Sequence, residues 1–398
     1  MSPEIMIKHL SLLLVLGCLA SIASARELAD QTRQAPTLPV ETMTLYIGTY
    51  TKNPQDGICV THFNSGTGEL TPAQTVAAIP NPSFLAVSPD GRFLYAVNEG
   101  GPVSGENKGG LSAFRIEPGA DLLAPLNAIA EGGTLCHLAV DATGKWLLAA
   151  AYSAGTVSTW KIEADGSIGP RFAVSQHTGK GPNENRQSEP HAHHVVLSAD
   201  NRRLFTADLG IDKVVIEDFN AETGELVAAA TPFAGLAGGA GPRHLALSPS
   251  GQFLYVVSEL NNTVTVFKDA PRTPQQIQVV STLPADFTGQ SFAAEIAVRP
   301  DGRFLYASNR GHNSIACYAI EADGQLTLVG FSATGHNPRH FTFDPTGRWL
   351  LVANQGDHSI TVFAVDTQSG ALTQSHQLQN VPGEPVCLLF LKPQPGEK

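Results

Sequence analysis

The feature that most constrains the fold is a pattern that occurs six times: an apolar run, a turn of the Pro-Asp-Gly-Arg type, and a second apolar run. Each turn has a reference glycine or asparagine that tolerates a positive φ angle, namely Gly91, Gly144, Asn201, Gly251, Gly302 and Gly347. Because the flanking runs are rich in β-branched, aromatic and leucine residues, each copy is predicted to form a β-hairpin. The copies recur every 45 to 57 residues. Repeats of roughly 40 to 50 residues that hold only strands are typical of a β-propeller with one four-stranded blade per repeat.

A seventh blade is predicted from the two ends of the chain. Segment 385–391, PVCLLFL, has the pattern of a first strand, but no turn and second strand follow it. The missing second strand is found at 45–50, LYIGTY, which resembles the second-strand segment 94–99, LYAVNE. Strands from both ends would pair edges that are otherwise exposed. We therefore predict an all-β, seven-bladed β-propeller over residues 42–392, with the last blade closed by strands from both termini and a short tail at 393–398.

The first 41 residues are predicted to lie outside this domain. Lys8 and His9 precede an apolar run at 10–16, and the small residues at 23–25, ASA, form a cleavage signal. Residues 1–25 are therefore predicted to be a signal peptide and 26–41 a disordered leader. The apolar run is too short for a permanent membrane helix, so stable membrane insertion is not expected. The protein is expected to be exported, either periplasmic or secreted, and a lipid anchor on Cys18 is the alternative.

The charge balance limits the classes of partner. The chain has 36 acidic and 25 basic residues, a formal net charge of -11, and no run of lysine or arginine interleaved with aromatics. This composition argues against nucleic acid and anionic membranes, and it leaves small molecules as the expected ligands. The pattern does not indicate an oligomeric state.

Four cysteines follow the predicted cleavage point: Cys59, Cys136, Cys317 and Cys387. A large propeller core is stable without disulfides, so buried free thiols are favoured. A bridge is conceivable for one pair, Cys59 with Cys387, because both are expected in the closing blade.

The repeat also predicts where polar side chains cluster. Positions equally far before and after a hairpin turn share one edge of the sheet, and in this chain the strand interiors are apolar. The residues eight before the reference are Ser83, Cys136, His193, Arg243, Ala294 and Arg339. The residues seven before are Phe84, His137, His194, His244, Glu295 and His340, and those eight after are Glu99, Tyr152, Leu209, Glu259, Arg310 and Gln355. Because all blades point the same way, these positions are expected at one mouth of the central channel, where propellers usually bind ligands.

Charged residues of opposite sign occupy facing positions at this mouth. Arg243 is expected to face Glu259 across one hairpin, and Glu295 to face Arg310 in the next blade. Either pair alone could be a structural ion pair. A purely structural role does not explain the set as a whole, because burying charged side chains costs more free energy than burying apolar ones in their place. Arginines instead suit an anionic or oxygen-rich ligand, since the guanidinium fork fits carboxylates, phosphates and oxyanions.

Segment 190–194, PHAHH, gives the sharpest signal for a histidine with a chemical role. His191 and His193 alternate on a strand and could bind zinc, but no third ligand is specified. A neutral His193 acting as base or hydrogen-bond donor is therefore favoured, and no metal or other cofactor is predicted. His137 and Glu99 are expected to contribute to substrate binding at the same mouth, although a wall role for His137 stays open.

Several motifs give the chain a family resemblance. They are YIGTYT at 46–51, GPRH at 241–244 followed by SELN at 258–261, SNRG at 308–311, and NPRH at 337–340. Over residues 42–392 the chain resembles the seven-bladed lactonase family, which groups bacterial propeller-type 6-phosphogluconolactonases with the fungal carboxymuconate lactonizing enzyme. The resemblance implies a metal-independent site that handles lactones at the channel mouth. It assigns the family's catalytic residues to His193, Arg243, Glu259 and Arg310. Glu295 falls where relatives also carry an acid, and Arg339 where they carry an arginine, so both are expected to bind substrate.

The leading functional hypothesis is hydrolysis of a sugar lactone. Glu259 or His193 would activate water, and Arg243 with Arg310 would stabilise the oxyanion. Arg243 would also keep Glu259 ionised and able to accept a proton. The export signal favours an unphosphorylated lactone, because 6-phosphogluconolactone is made inside the cell. Two alternatives stay open: a carboxymuconate-type lactonizing cycloisomerase, and a non-catalytic exported propeller that binds a ligand.

Overall fold

The computed structural model describes residues 41–100, 109–119, 121–270 and 272–391. Within these ranges the chain forms 28 β-strands in seven four-stranded antiparallel sheets, together with one single-turn 3-10 helix, Gln355–Asp357. The seven first strands contact one another in a closed ring, so the sheets are the blades of a propeller around a central channel. The predicted fold class is thereby confirmed. The predicted signal peptide, leader and tail, and Cys18, lie outside the described residues.

The closing blade is built from both ends of the chain, as predicted. Its strands are β1 (Thr42–Tyr50), β2 (Ile58–Asn64), β3 (Gln74–Ala77) and, from the other end, β28 (Glu384–Phe390). Strand β28 is innermost and pairs with β1 from Leu45 opposite Phe390 to Tyr50 opposite Glu384. The hydrogen-bonded ladder between the two ends therefore closes the ring.

The other six blades follow in chain order, each with its innermost strand first. Blades 1 and 2 comprise β4 (Phe84–Val87), β5 (Phe93–Asn98), β6 (Gly110–Ile116), β7 (Leu123–Ala130), then β8 (Leu135–Val140), β9 (Trp146–Ala151), β10 (Thr156–Ile162), β11 (Ile168–Gln176). Blades 3 and 4 comprise β12 (Ala192–Leu197), β13 (Arg203–Asp208), β14 (Lys213–Phe219), β15 (Leu226–Gly235), then β16 (Pro242–Leu247), β17 (Phe253–Ser258), β18 (Thr263–Lys268), β19 (Gln275–Ser281). Blades 5 and 6 comprise β20 (Phe292–Val298), β21 (Phe304–Arg310), β22 (Ser314–Ile320), β23 (Leu326–Ala333), then β24 (Pro338–Phe343), β25 (Trp349–Asn354), β26 (Ser359–Val365), β27 (Leu372–Leu378). The closing blade is blade 7.

The turns between first and second strands are alike in all six repeats. Each reference residue has a φ angle between 58° and 75°. Its backbone N–H donates to the carbonyl three residues earlier, at 2.8 to 2.9 Å. Glycine or asparagine is needed at this position because other residues pay a steric cost at positive φ. These turns mark one end of the channel, which we call the turn end.

The apolar core lies between the blades. Among the described residues it divides into seven clusters, and each cluster combines side chains from two neighbouring blades. A recurring contact joins a glycine of one blade to the aromatic residue that begins the second strand of the blade before it. A methyl group added to Gly166, for example, would overlap the ring of Phe93. The same contact recurs for Gly224 on Trp146, Gly324 on Phe253, Gly370 on Phe304 and Gly68 on Trp349.

The cysteines and the membrane expectation can be checked on the described part of the chain. Cys59, Cys136, Cys317 and Cys387 are all buried and free, as the sequence favoured. Within the same residues, no helix is long and apolar enough to span a bilayer.

Candidate active site

The end of the channel opposite the turn end, which we call the mouth, carries a β-bulge in the first strand of six blades. Between Ala192 and His194, for example, the pairing register slips by one residue, so that His193 has no partner on β13. The same slip leaves extra residues in the other five blades: Cys136, Arg243, the pair Ala294 and Glu295, Arg339, and Val386 in β28. A bulge bends a strand and changes the direction of a side chain. Five of the six bulges contain the residue that lies eight before the turn reference: Cys136, His193, Arg243, Ala294 and Arg339.

These residues surround a small polar cavity at the mouth, which we call the mouth recess. Its lining residues are Ser83, Phe84, Glu99, Cys136, His193, Arg243, His244, Arg339, His340 and Val386. Two of its polar atoms, Ser83 Oγ and His193 Nδ1, are buried and have no hydrogen-bond partner among the described residues. Buried polar groups are nearly always paired, so these two atoms indicate a place for a ligand.

A larger cleft opens at the turn end, near Ala142 and Asn201. Its lining is mostly turn residues, and no buried polar side-chain atom among its described residues is without a partner. The mouth recess is therefore the better candidate for a functional site.

Beside the recess, one carboxylate binds three guanidinium groups. Glu259 Oε2 accepts hydrogen bonds from Arg243 Nε at 3.2 Å and from a terminal nitrogen of Arg310 at 2.7 Å. Glu259 Oε1 accepts one from a terminal nitrogen of Arg186, also at 2.7 Å. The expected pair of Arg243 and Glu259 is thus present, and it is part of a larger cluster that also includes Arg186.

The cluster sets the protonation of Glu259. Burial alone would raise the pKa of this carboxyl, but Arg310 and Arg243 outweigh burial and lower the pKa to about 2. Glu259 is therefore ionised at neutral pH, as expected from its neighbour Arg243. Both of its oxygens are already bound by guanidinium groups, so neither is free to accept a proton from water.

The expected pair of Glu295 and Arg310 is absent, which corrects the prediction from the sequence. Arg310 lies opposite Phe292 in the sheet and reaches Glu259 in the preceding blade. Glu295 lies at the bulge of β20, and its carboxylate accepts from His244 Nδ1 at 3.1 Å and is 3.4 Å from His340 Nε2. Because Ile296 lies opposite Ala307, an unbroken ladder would place Glu295 opposite Ser308, two residues before Arg310. The two charged side chains therefore do not face each other, with or without the bulge.

Glu295 belongs to a second layer, deeper in the channel, which we call the channel layer. Its other members are four imidazole rings and Phe84. The ring of His137 lies 4.0 Å from those of Phe84 and His194. Burial is the main cause that lowers the pKa of all four histidines, so these rings are neutral near pH 7. His137, expected to bind substrate, lies in this layer and does not line the recess.

On the other side of the recess, Glu99 and Arg339 are linked through Tyr50. The Tyr50 hydroxyl donates to Glu99 Oε2 at 2.7 Å and accepts from a terminal nitrogen of Arg339 at 2.9 Å. Burial raises the pKa of Tyr50, which keeps the hydroxyl protonated. Tyr50 was not among the site residues expected from the sequence. Its alignment with Glu99, at the end of segments 45–50 and 94–99, was the available signal.

Arg186 was also missed, because it lies in the loop between β11 and β12 and not in a repeat. Next to this loop, Tyr152 and His191 stack with ring centroids 4.4 Å apart, and the Tyr152 hydroxyl is 3.4 Å from Arg186. His191 thus packs on Tyr152 and is not placed to bind a metal ion together with His193. Among the described residues, no group of three His, Cys, Asp or Glu side chains is arranged to hold a metal ion.

The structure therefore divides the expected site residues into three groups. His193, Arg243, Arg339 and Glu99 line the mouth recess. Glu259 and Arg310 lie beside it. Glu259 binds Arg243, and Arg310 binds the same carboxylate oxygen of Glu259. Glu295 and His137 lie in the channel layer. Four guanidinium groups and two carboxylates meet at this mouth, so its local charge is positive although the whole chain is acidic.

The fold and the mouth together define a seven-bladed β-propeller with a polar recess at one end of its channel. The family model described as Lactonase, 7-bladed beta-propeller matches residues 44–390. The chain belongs to this family. The expectation of a lactonase is thereby confirmed at the level of the family.

Named relatives are similar over nearly their whole length. A 6-phosphogluconolactonase of Bacillus subtilis is 34% identical over 351 residues, which is 87% of this chain and 97% of the relative. The structure of a periplasmic gluconolactonase from Pseudomonas aeruginosa has a TM-score of 0.82 and 34% identity, covering 88% of this chain and 99% of that one. A protein from Lactobacillus plantarum has a TM-score of 0.81 and 35% identity, covering 88% and 100%.

Proposed function

We propose that this protein hydrolyses a sugar lactone in the mouth recess and that His193 accepts the proton of the attacking water. The observation that carries the proposal is the unpartnered, buried Nδ1 of His193, which shares the recess with Arg243 and Arg339. A proton acceptor and two cationic donors around one cavity are what addition of water to an ester carbonyl requires.

His193 suits the role of base better than Glu259. Burial, followed by the charge of Arg243, lowers the pKa of His193 well below its ordinary value, so the imidazole is neutral and has a free lone pair. Both oxygens of Glu259 are occupied by guanidinium groups. We assign Glu259 and Arg310 the task of holding Arg243 in place, and Arg243 and Arg339 the task of stabilising the oxyanion.

The proposed reaction balances as an ordinary ester hydrolysis. The water oxygen bonds to the carbonyl carbon while His193 takes a water proton, and the carbonyl oxygen becomes negative beside Arg243. The bond between that carbon and the ring oxygen then breaks, and His193 returns the proton to the ring oxygen. The product is a hydroxy acid, which releases one proton as its carboxyl ionises.

Two features of the recess support a sugar lactone as the substrate and hydrolysis that needs no metal ion. Glu99, Tyr50 and Ser83 offer acceptors and hydroxyls that suit the hydroxyl groups of a sugar. Guanidinium groups have no lone pair for a cation and repel it, so the recess does not suit metal binding. The names of the relatives, 6-phosphogluconolactonase and gluconolactonase, support the same substrate class.

We further propose that the protein is exported and acts on an unphosphorylated lactone. The signal-like pattern of residues 1–25 supports export, and one structural relative is described as periplasmic. Cell fractionation and N-terminal sequencing of the mature protein test this proposal. A mature chain that begins at Arg26 is the expected result, and an intact Met1 in the cytoplasm would overturn it.

The assay of choice compares gluconolactone, 6-phosphogluconolactone and carboxymuconate with wild-type protein and a His193→Gln variant. We expect proton release from gluconolactone and a loss of at least about 100-fold in kcat for the variant, because glutamine cannot accept the proton. His376→Gln, on the outermost strand of blade 6, is the control and should retain full activity. Consumption of carboxymuconate without hydrolysis of either lactone would favour the cycloisomerase, and binding without turnover would favour a ligand-binding propeller.

A further inference from the structure

The two oxygens of Glu259 are held in different ways. Oε2 is bound by Arg243 and Arg310, whose side chains are 3% and 13% exposed. Among the described residues, Oε1 is bound by Arg186 alone, and that side chain is 36% exposed. Only a movement of Arg186 could therefore free an oxygen of Glu259 without disturbing buried strand residues.

The three arginines also differ in how firmly their guanidinium groups are fixed. Arg243 donates to the Ala294 carbonyl at 2.8 Å, and Arg310 donates to the Phe292 carbonyl at 3.3 Å. Among the described residues, the Arg186 guanidinium has no backbone partner, and its second contact is the long one to Tyr152 at 3.4 Å. Arg186 is thus held in place mainly by Glu259.

The backbone next to Arg186 is firmly anchored. Gln187 is fully buried, and its amide nitrogen donates to the Leu209 carbonyl and to Asp212 Oδ1, both at 2.8 Å. Asp212 Oδ1 also accepts from the backbone N–H of Gly241, at 2.8 Å. Gly241 lies two residues before Arg243, so one buried carboxylate ties the Arg186 loop to the strand of Arg243. The backbone next to Arg186 is therefore held by buried hydrogen bonds, and the Arg186 side chain is the more weakly held part of this segment.

Arg186 is linked to the recess through both of its side-chain partners. Its partner Glu259 also binds Arg243, which lines the recess. Its other partner, Tyr152, has its ring 5.8 Å from the ring of His193. Both partners of Arg186 therefore adjoin residues that line the recess.

We propose that Arg186 is a ligand-binding residue that moves from Glu259 Oε1 to the carboxylate formed when the lactone opens. This proposal rests on the proposed function. Hydrolysis turns a neutral ring ester into a carboxylate, so a negative charge arises in the recess during the reaction. The guanidinium fork of Arg186 matches that carboxylate in charge and geometry. Arg243 and Arg310 continue to neutralise Glu259 through Oε2.

The test measures binding of a charged and a neutral ligand by calorimetry, which does not depend on turnover. Gluconate carries the product carboxylate, and glucitol is its neutral counterpart. We expect Arg186→Gln to weaken gluconate binding at least about tenfold and to change glucitol binding less than twofold. Arg186→Lys should recover part of the gluconate affinity, because it restores the charge but not the fork.

Arg171→Gln is the matched control, because Arg171 also forms an exposed ion pair, with Glu131 at 2.8 Å, on the outer strand of blade 2. It should leave binding of both ligands unchanged. Equal weakening of gluconate and glucitol by Arg186→Gln, or no weakening at all, overturns the role of Arg186. Absence of lactone hydrolysis by the wild-type protein overturns the proposed function instead, and the two failures are read from separate measurements.

Discussion

The two ends of the central channel are formed by the same strands but differ in how closely the blades resemble one another. At the turn end, six blades repeat one hydrogen-bonded turn with a glycine or asparagine at positive φ. At the mouth, the position eight residues before the turn reference is occupied by residues that differ from blade to blade: Ser83, Cys136, His193, Arg243, Ala294 and Arg339. The turn end is uniform because each blade meets the same packing requirement. Under the proposed function, the mouth varies because its residues together complement one asymmetric ligand.

The bulges explain how one strand can have an apolar interior and still carry polar residues at the mouth. Along a regular strand, side chains alternate between the two faces, and in a blade both faces pack against neighbours. An extra residue at the mouth is released from this alternation, so a charged or polar side chain there does not disrupt the apolar clusters between blades. Polar side chains at the mouth are thereby carried by the start of the first strands, as with His193 and Arg243, and by the end of the second strands, as with Arg310.

The largest expected effect comes from removing the charge at the centre of the mouth. Glu259→Gln leaves Arg186, Arg243 and Arg310 without their shared counter-ion, and loss of one partner of a buried pair costs about 3–5 kcal/mol. We expect kcat/KM for the lactone to fall at least about 100-fold, with a lower free energy of unfolding. Steady-state kinetics and urea unfolding measure the two effects.

A control for this variant is Glu222→Gln. Glu222 pairs with Lys145 at 2.9 Å, but its side chain is 78% exposed. Exposed pairs contribute about 0–1 kcal/mol, so activity and stability should hardly change. A Glu259→Gln protein with wild-type kcat/KM would show that the cluster plays no part in catalysis.

The pH dependence of stability tests the same cluster without a ligand. The pKa of Glu259 falls from 4.5 to about 2 in the folded protein, so the unfolded chain binds the proton more tightly. The stabilisation is present above pH 4.5 and is lost as the pH falls from there towards 2. It should amount to about 3 kcal/mol. Urea unfolding at pH 6 and pH 3 should show a larger loss for wild type than for Glu259→Gln, and equal losses would contradict the low pKa.

A smaller effect is expected from the contacts between blades. In Gly166→Ala, the new methyl group would overlap Phe93 at a backbone φ of 88°, and we expect a loss of about 2–4 kcal/mol. Gly119→Ala provides the control, because its φ is 87° but no atom lies within 4 Å of the added carbon. It should cost only the backbone strain, about 1 kcal/mol. Thermal unfolding gives both values, and KM should be unchanged because both glycines lie in turns away from the mouth.

Most of the fold could be predicted from the sequence because the repeat is carried by turns. The second-strand pattern at 45–50 and the first-strand pattern at 385–391 were sufficient to predict the composite blade. The edge that holds His193, Arg243 and Glu259 also followed from counting outward from the turns. Counting works because the strand interiors contain no insertions.

Two parts of the site were missed for different reasons. Glu295 occupies the position seven before the turn reference, as His137, His194, His244 and His340 do, but its charge suggested the oppositely charged Arg310 as its partner and not these histidines. Arg186 lies in a loop that has no counterpart in the other blades. Its one sequence signal was the length of that loop, since long loops in compact domains are often functional.

The composite blade also constrains the order of folding. Strand β28 (Glu384–Phe390) follows all other described strands along the chain, yet it is the innermost strand of the blade that contains β1. Until β28 pairs with β1, blades 6 and 1 have no complete neighbour between them. Circularisation therefore depends on the contact with the largest sequence separation in the described chain, and such contacts are slow to form.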